Sequence, residues 1–191
     1  MDKKEQRKQG IKARKSLVMA EEYSKKICDS LLNSQFYQNA DTIFSYVPFN
    51  GEVDISYFNQ CATDDGKTVA YPICGSDGSM VAAVPDSETA WECGKYGIMT
   101  PILDVSHILE PNEIDVVIVP CTAFDPESRI RIGMGAGYYD RYLPKCKTAK
   151  SIAVAFEVQK IEGLCIDEWD YPLDAIVTEL FWYYFSLAHN L

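Results

Sequence analysis

Between residues 20 and 33 the apolar positions Ala20, Tyr23, Ile27 and Leu31 fall three or four apart, with Glu21, Glu22, Lys25 and Lys26 between them. That spacing predicts a helix with one buried stripe. Residues 3–18 predict a basic helix before it. From residue 42 the pattern changes. Residues 42–47 are rich in β-branched and aromatic side chains and stop at Pro48–Gly51, as a strand does. Further strands are predicted over 67–73, 80–84, 151–156 and 175–177, and short helices over 55–61 and 136–146. Residues 114–119, IDVVIV, form an almost unbroken apolar run, the pattern of a central strand covered on both faces. Residues 180–185 fit an edge strand and a helix equally well. Strands alternating with helices predict a three-layer α/β/α sandwich with a mostly parallel, mixed central sheet, Rossmann-like, as a single domain over 1–191. Ligands of such sheets lie beyond the carboxyl ends of the strands, so the loops after Val47, Ile73, Val119 and Phe156 form the expected rim.

Composition narrows the chemistry. The chain has 191 residues and 47% hydrophobic content, enough for a packed core without staples. No apolar run approaches the length of a membrane span, and the first residues lack the apolar segment of a secretory signal. Seven scattered cysteines, with no CxxC pair, suit reduced thiols in a cytoplasm. With only His107 and His189, histidine-dependent nucleophilic catalysis and a histidine-rich metal site start from a weak position. The chemistry falls to carboxylates, cations, backbone amides and tyrosine. A net charge of -10 argues against nucleic-acid binding. Residues 1–26 nevertheless hold nine of the 18 basic residues, so a basic helix lies on an acidic body. Such a helix is either a solvated face or a supply of cations to a phosphate-bearing ligand.

The stretch 131–143, RIGMGAGYYDRYL, places glycines at 133, 135 and 137 between Arg131 and Arg141. Alternate glycines permit positive φ and let successive N–H groups converge on an anion, with the start of the next helix adding its dipole. The glycines alone match neither GxxxxGK[ST] nor GxGxxG, and a tight strand-to-helix turn explains them equally well. The longer string is more specific. Val119-Pro120, Ala123-Phe124-Asp125, Arg131-Ile132-Gly133 and Gly135-Ala136-Gly137-Tyr138-Tyr139-Asp140 together resemble the signature of the 5-formyltetrahydrofolate cyclo-ligase family. Lys3 with Arg7, the turn Gly51-Glu52-Val53-Asp54 after Val47, Gly94, Gly97, Ile98 and Pro101, and the segments 155–159 and 167–179 extend the likeness along the chain.

The resemblance implies an ATP- and Mg²⁺-dependent ligase that converts 5-formyltetrahydrofolate to 5,10-methenyltetrahydrofolate through a phosphorylated formyl group. Its small-molecule substrates imply no nucleic-acid or membrane partner, and a monomer is expected. Carried over by position, Lys3, Arg7 and residues Arg131, Ile132, Gly133, Met134, Gly135, Ala136, Gly137, Tyr138 and Tyr139 would bind ATP. Val47, Glu52, Met134, Gly135, Ala136, Gly137 and Tyr138 would face the folate, and Asp140 and Asp170 would hold Mg²⁺. No single catalytic residue is singled out. Two positions depart from the pattern: Ala136, where many relatives have glycine or lysine, and Trp169, where a histidine is common. Those departures leave open a folate- or nucleotide-binding module without catalysis, and the glycine turn alone an α/β enzyme of sugar phosphates or acyl-CoA.

Overall fold

A computed structural model of the chain describes residues 1–87, 89–94 and 97–185; His189 lies outside them. The elements run α1 (Lys3–Lys15), α2 (Ala20–Leu32), α3 (Gln35–Gln38), β1 (Thr42–Phe44), α4 (Ser56–Asp64), β2 (Thr68–Cys74) and β3 (Met80–Pro85). After these come β4 (Trp91–Cys93), β5 (Met99–Pro101), β6 (Ser106–Leu109), β7 (Val116–Pro120), β8 (Ala123–Asp125), β9 (Ile130–Ile132) and α5 (Tyr138–Tyr142). The last strands are β10 (Lys150–Val154), β11 (Ala175–Val177) and β12 (Trp182–Tyr184).

Eight strands form the main sheet in the order β12-β11-β10-β7-β1-β2-β3-β6. The five from β11 to β2 are parallel, and β12, β3 and β6 are antiparallel additions at the edges. The mostly parallel α/β sandwich expected from the alternation is therefore what forms. Each central strand is apolar on both sides. Ile43, Val116, Ile118, Ile152 and Val154 pack beneath α2, α3 and α4 with Ile27, Leu31 and Phe58. Phe44, Val117, Val119, Ala153 and Ile176 face the other way, towards Tyr142, Leu143 and Leu173. Successive strand residues point to opposite faces, which is why Val116 to Val119 of β7 are apolar throughout.

Several elements differ from the sequence expectation. α1 stops at Lys15, where Ser16 caps it through backbone bonds to Lys12, Ala13 and Arg14. The helix expected over 136–146 is five residues of α5 followed by a 3-10 turn at Leu143–Lys145, because Pro144 has no N–H to continue an α-ladder. The undecided segment 180–185 pairs antiparallel to β11 as the edge strand β12. Two small hairpins, β4-β5 and β8-β9, had no clear signal because their strands are three residues long. The second matters for function, since it separates the glycine loop from β7.

The chain runs from β1 outwards to β2, then returns to β7 on the opposite side of β1. A crevice opens above such a reversal of strand order.

Candidate active site

A cavity of about 890 Å³ lies over this crevice. Pro120 at the end of β7 lines it with Cys121 and Thr122 just beyond, and with Glu52 from the connection after β1. Lys3 and Arg7 from α1, residues 131–141 of the glycine loop and α5, and the turn 167–172 complete the walls. Its size sits near the upper end for small-molecule sites. Of the four loops expected at the rim, those after Val47 and Val119 line the cavity and the other two brace it. Tyr138 donates to Gly75 O at 3.0 Å, and Arg141 donates to Gly78 O through Nε (3.1 Å) and Nη2 (2.9 Å). Gln159 donates through Nε2 to Cys121 O and Thr122 O at 2.9 and 3.0 Å.

α1 owes its place to an unusual inner face. Lys3, Arg7, Gly10 and Arg14 are spaced four, three and four residues apart, so they share one side of the helix. Its buried residues are Gln6, Gly10 and Arg14, none of them a large apolar side chain. The helix docks through polar contacts and one close approach. Gln6 donates to Gly163 O at 3.1 Å and accepts from Cys165 N at 2.8 Å. A Cβ at Gly10 would stand 1.9 Å from Thr122 O, so only glycine admits the helix this near the strand end.

The glycine loop follows β9 and is built around two guanidinium groups. Arg7 Nε donates to Gly133 O at 2.8 Å, and its Cζ lies 3.2 Å from where a Cβ of Gly135 would be. Arg141 Nη2 donates to Ala136 O at 2.7 Å, and its Nη1 lies 2.7 Å from the corresponding point at Gly137. Gly135 and Gly137 also have φ of 104° and 69°. Glycine is required there twice over, for the backbone angle and for room beside a cation. With α5 only five residues long, the helix dipole is a smaller source of attraction than the sequence reading supposed. The positive charge comes from side chains: Lys3, Arg7, Arg131 and Arg141 all line the cavity.

Two of those cations are already paired with acids of the cavity. Lys3 Nζ bonds Asp170 at 2.6 Å and Asp167 at 2.8 Å. Desolvation of its ammonium is outweighed by these bonds, which raise its pKa above the ordinary lysine value. Arg131, 3% exposed, places Nη1 2.9 Å from Asp140 Oδ1, while its buried Nε has no hydrogen-bond partner among the described residues. The buried Tyr139 hydroxyl is unpartnered in the same way, and desolvation pushes its pKa upward. Orphaned donors lining a cavity are what a polar ligand would satisfy.

Glu52 lines the same cavity. Phe49 N donates to its Oε2 at 3.1 Å, and Arg14 Nη1 lies 3.8 Å from its Oε1. Burial pushes its carboxyl up to about 7, against the pull of Arg14 and the Phe49 amide.

Mg²⁺ needs oxygen ligands in small number, since it keeps waters and shares substrate phosphates. No group of three or more His, Cys, Asp or Glu side chains forms a cage among the described residues. Asp140 and Asp170 both line the cavity, and Asp140 Oδ1 accepts from the amide of Tyr171, the residue next to Asp170, at 3.4 Å. Two carboxylates lining one cavity supply oxygen donors of the kind that ion takes.

Every site residue expected from the sequence lines this cavity except Val47. It lines a separate cavity of about 360 Å³ with Pro48, Asn59, Tyr71, Trp91 and Met99. The physical reason is local: the chain reverses between the two residues, with Asn50 and Gly51 at positive φ and Glu52 N bonded back to Phe49 O. Sequence reasoning missed Gly10, Arg14 and the bracing by Gln159. The first two were detectable from their helical register with Lys3 and Arg7; the third depends on a long-range fold contact.

The family model for 5-formyltetrahydrofolate cyclo-ligases matches residues 1–179. A 5-formyltetrahydrofolate cyclo-ligase of Escherichia coli K12 is 33% identical over 143 residues, covering 73% of this chain and 78% of the relative. That of Mycoplasma pneumoniae is 29% identical over 187 residues, 94% of this chain and 99% of the relative. Among solved structures, a 5,10-methenyltetrahydrofolate synthetase of Aquifex aeolicus aligns with a TM-score of 0.83 and 30% identity, over 100% of this chain and 98% of that one. The Mycoplasma pneumoniae synthetase aligns with a TM-score of 0.75 and 28% identity, over 94% and 99%.

Proposed function

Because the chain belongs to the 5-formyltetrahydrofolate cyclo-ligase family, we propose that ATP and 5-formyltetrahydrofolate meet in the large cavity and leave as ADP, phosphate and 5,10-methenyltetrahydrofolate. The observation that carries this placement is the glycine loop with Arg7 and Arg141 seated against its glycines, in the same cavity as the buried carboxyl of Glu52. The loop suits phosphates and the carboxyl an N–H-rich ring.

The chemistry follows from the poor leaving ability of a formyl oxygen. That oxygen attacks the γ-phosphorus of ATP, and the bond to the ADP oxygen breaks. The formyl carbon now carries a phosphate, and the lone pair of N10 attacks it to form the new C–N bond. Phosphate departs with the C–O electron pair, and the N10 proton is lost. The protein's share is positioning and charge neutralisation. Lys3, Arg7 and the loop amides from Met134 to Gly137 hold the phosphates, with Arg131 and Tyr139 as unsatisfied donors beside them. Glu52 accepts from the pterin N–H groups, and Met134 to Tyr138 flank the folate. Val47, in the neighbouring cavity, would meet the folate only where the ligand extends beyond the pterin. Asp140 and Asp170 would hold Mg²⁺, which when bound neutralises phosphate charge.

The pairing of Lys3 with Asp170 and of Arg131 with Asp140 gathers cations and carboxylates in one cavity, which supports the same reading. The unpaired state of all seven cysteines supports a reducing compartment such as the cytoplasm. The test is a spectroscopic assay of methenyltetrahydrofolate formation. Folded protein is expected to make it only when ATP and Mg²⁺ are both supplied; no product under those conditions would sink the proposal.

A further inference from the structure

The last turn of α1 carries a buried arginine that takes no part in the proposed reaction. Arg14 is 1% exposed. Its Nη1 donates to Cys121 O at 2.9 Å and its Nε to Asn50 O at 3.1 Å, while Nη1 lies 3.8 Å from Glu52 Oε1. Its Nη2 is buried and has no hydrogen-bond partner among the described residues. Three segments converge on this side chain: the helix that carries Lys3 and Arg7, the turn that carries Glu52, and the end of β7. Burying a full charge at that depth costs more stability than an apolar residue of similar shape would. A role in packing alone gives no reason for the charge.

Resting on the functional reading above, we infer that Arg14 is a positioning residue: it holds the Glu52 carboxylate, charged, for the pterin, and ties it to the phosphate-binding helix. Glu52 is then fixed at both oxygens, Oε2 by the Phe49 amide and Oε1 by the Arg14 charge. The titratable groups facing Glu52 are Arg14 from α1, Tyr46 after β1, Cys121 after β7 and Tyr139 from α5. Burial pushes Tyr46 and Tyr139 upward and Cys121 up to about 12, so these three are neutral near pH 7. Arg14 is the one cation of the four, and it opposes the burial that drives Glu52 up.

The test compares wild type, Arg14→Gln and Arg14→Lys in the methenyltetrahydrofolate assay, with KM for each substrate and kcat/KM for the folate across pH. In Arg14→Gln the folate KM is expected to rise about tenfold while the ATP KM stays within about twofold, the scale of a lost charge-assisted contact. The acid limb of folate kcat/KM should move to higher pH, because Glu52 loses the cation that opposes its burial. Arg14→Lys, which keeps the charge, should return the limb to its wild-type position. Equal rises in both KM values with an unmoved limb would overturn the inference and leave Arg14 a structural residue. Should Arg14→Gln fail to fold, Arg14→Met, an uncharged residue of similar length, is measured in the wild-type and Glu52→Gln backgrounds. Its effect on folate kcat/KM should vanish in the second, and the same loss in both would overturn the inference. Absence of product from folded wild type is a different result and speaks only against the functional reading.

Discussion

Glu52 and Asp140 are two acids in one cavity that differ in what their surroundings ask of them. Glu52 is held near pH 7 by burial, well above its ordinary carboxyl value of 4.5. The folded chain therefore holds this proton more tightly than the unfolded chain does. The stability it contributes is fully present below pH 4.5 and is lost as pH rises through 7. At 1.36 kcal/mol per unit the difference amounts to about 3 kcal/mol. Glu52→Gln removes the titration and resembles the protonated acid at every pH. Urea denaturation of the two proteins should thus show the variant gaining on wild type by about 2 kcal/mol between pH 5 and pH 8. A pH-independent difference would mean that Glu52 titrates like an exposed acid. Asp140 sits instead against Arg131 and beside Asp170's neighbour Tyr171. Asp140→Ala should raise the Mg²⁺ concentration needed for half-maximal activity about tenfold or more, the scale on which metal-site neighbours act. An unchanged Mg²⁺ dependence in titrated assays would take Asp140 out of the metal site.

At the level of elements, α1 is the instructive case, because it docks without an apolar stripe. Its register is set by Gly10, whose backbone meets Thr122 O, itself fixed by Gln159. Gly10→Val should push the helix outward and cost about 1–3 kcal/mol in stability, as overpacking does. Lys3 and Arg7 ride on the same helix, so ATP KM should rise in parallel; thermal melts and kinetics with unchanged values in both would show that the contact is soft. This helix also shows what the sequence could tell. Its existence, basic character and the pair Lys3 and Arg7 were legible. The purpose of the pattern was not, since a polar inner face resembles a solvated outer face until a partner surface is placed against it. The central strands were legible for the opposite reason: Val116 to Val119 has no polar position, and burial on both faces is the arrangement that accommodates it. Three-residue strands such as β8 and β9 carry too few positions for a period. The helix after the glycine loop was overestimated because α5 and its 3-10 continuation share an apolar pattern that Pro144 divides. In the site, residues adjacent in sequence to a recognisable motif were found. Arg14 reaches the site from a helix register and Gln159 through the fold, so no local motif marks them, and Val47 was assigned to a wall it does not share with Glu52.

For the molecule as a whole, the question is whether the helix and the sheet melt as one. Residues of α1 contact the turn 49–52, the strand end at 121–122, the glycine loop, and the segment 163–170. Detaching the helix would strip partners from Arg14, Lys3 and Gln6 together, leaving buried acids and carbonyls uncompensated. Such coupling favours a single cooperative transition over early loss of the helix. Far-ultraviolet circular dichroism reads the helices, and Trp182, which donates to Ser30 Oγ at 2.6 Å and stacks on Phe36, reports on the far side of the sheet. Melts followed by circular dichroism and by fluorescence in a protein keeping only Trp182 (Trp91→Phe, Trp169→Phe) should coincide. Mg²⁺-ATP at a hundred times its dissociation constant adds about 2.7 kcal/mol to the folded state. At about 2–4 °C per kcal/mol for a chain of this size, both curves should rise together by roughly 5–11 °C. If circular dichroism falls first and only its early phase responds to Mg²⁺-ATP, α1 is an independently melting flap and the nucleotide binds it rather than the assembled cavity. Coincident curves that shift as one would instead make the cavity, with its helix in place, a property of the folded chain before any ligand arrives.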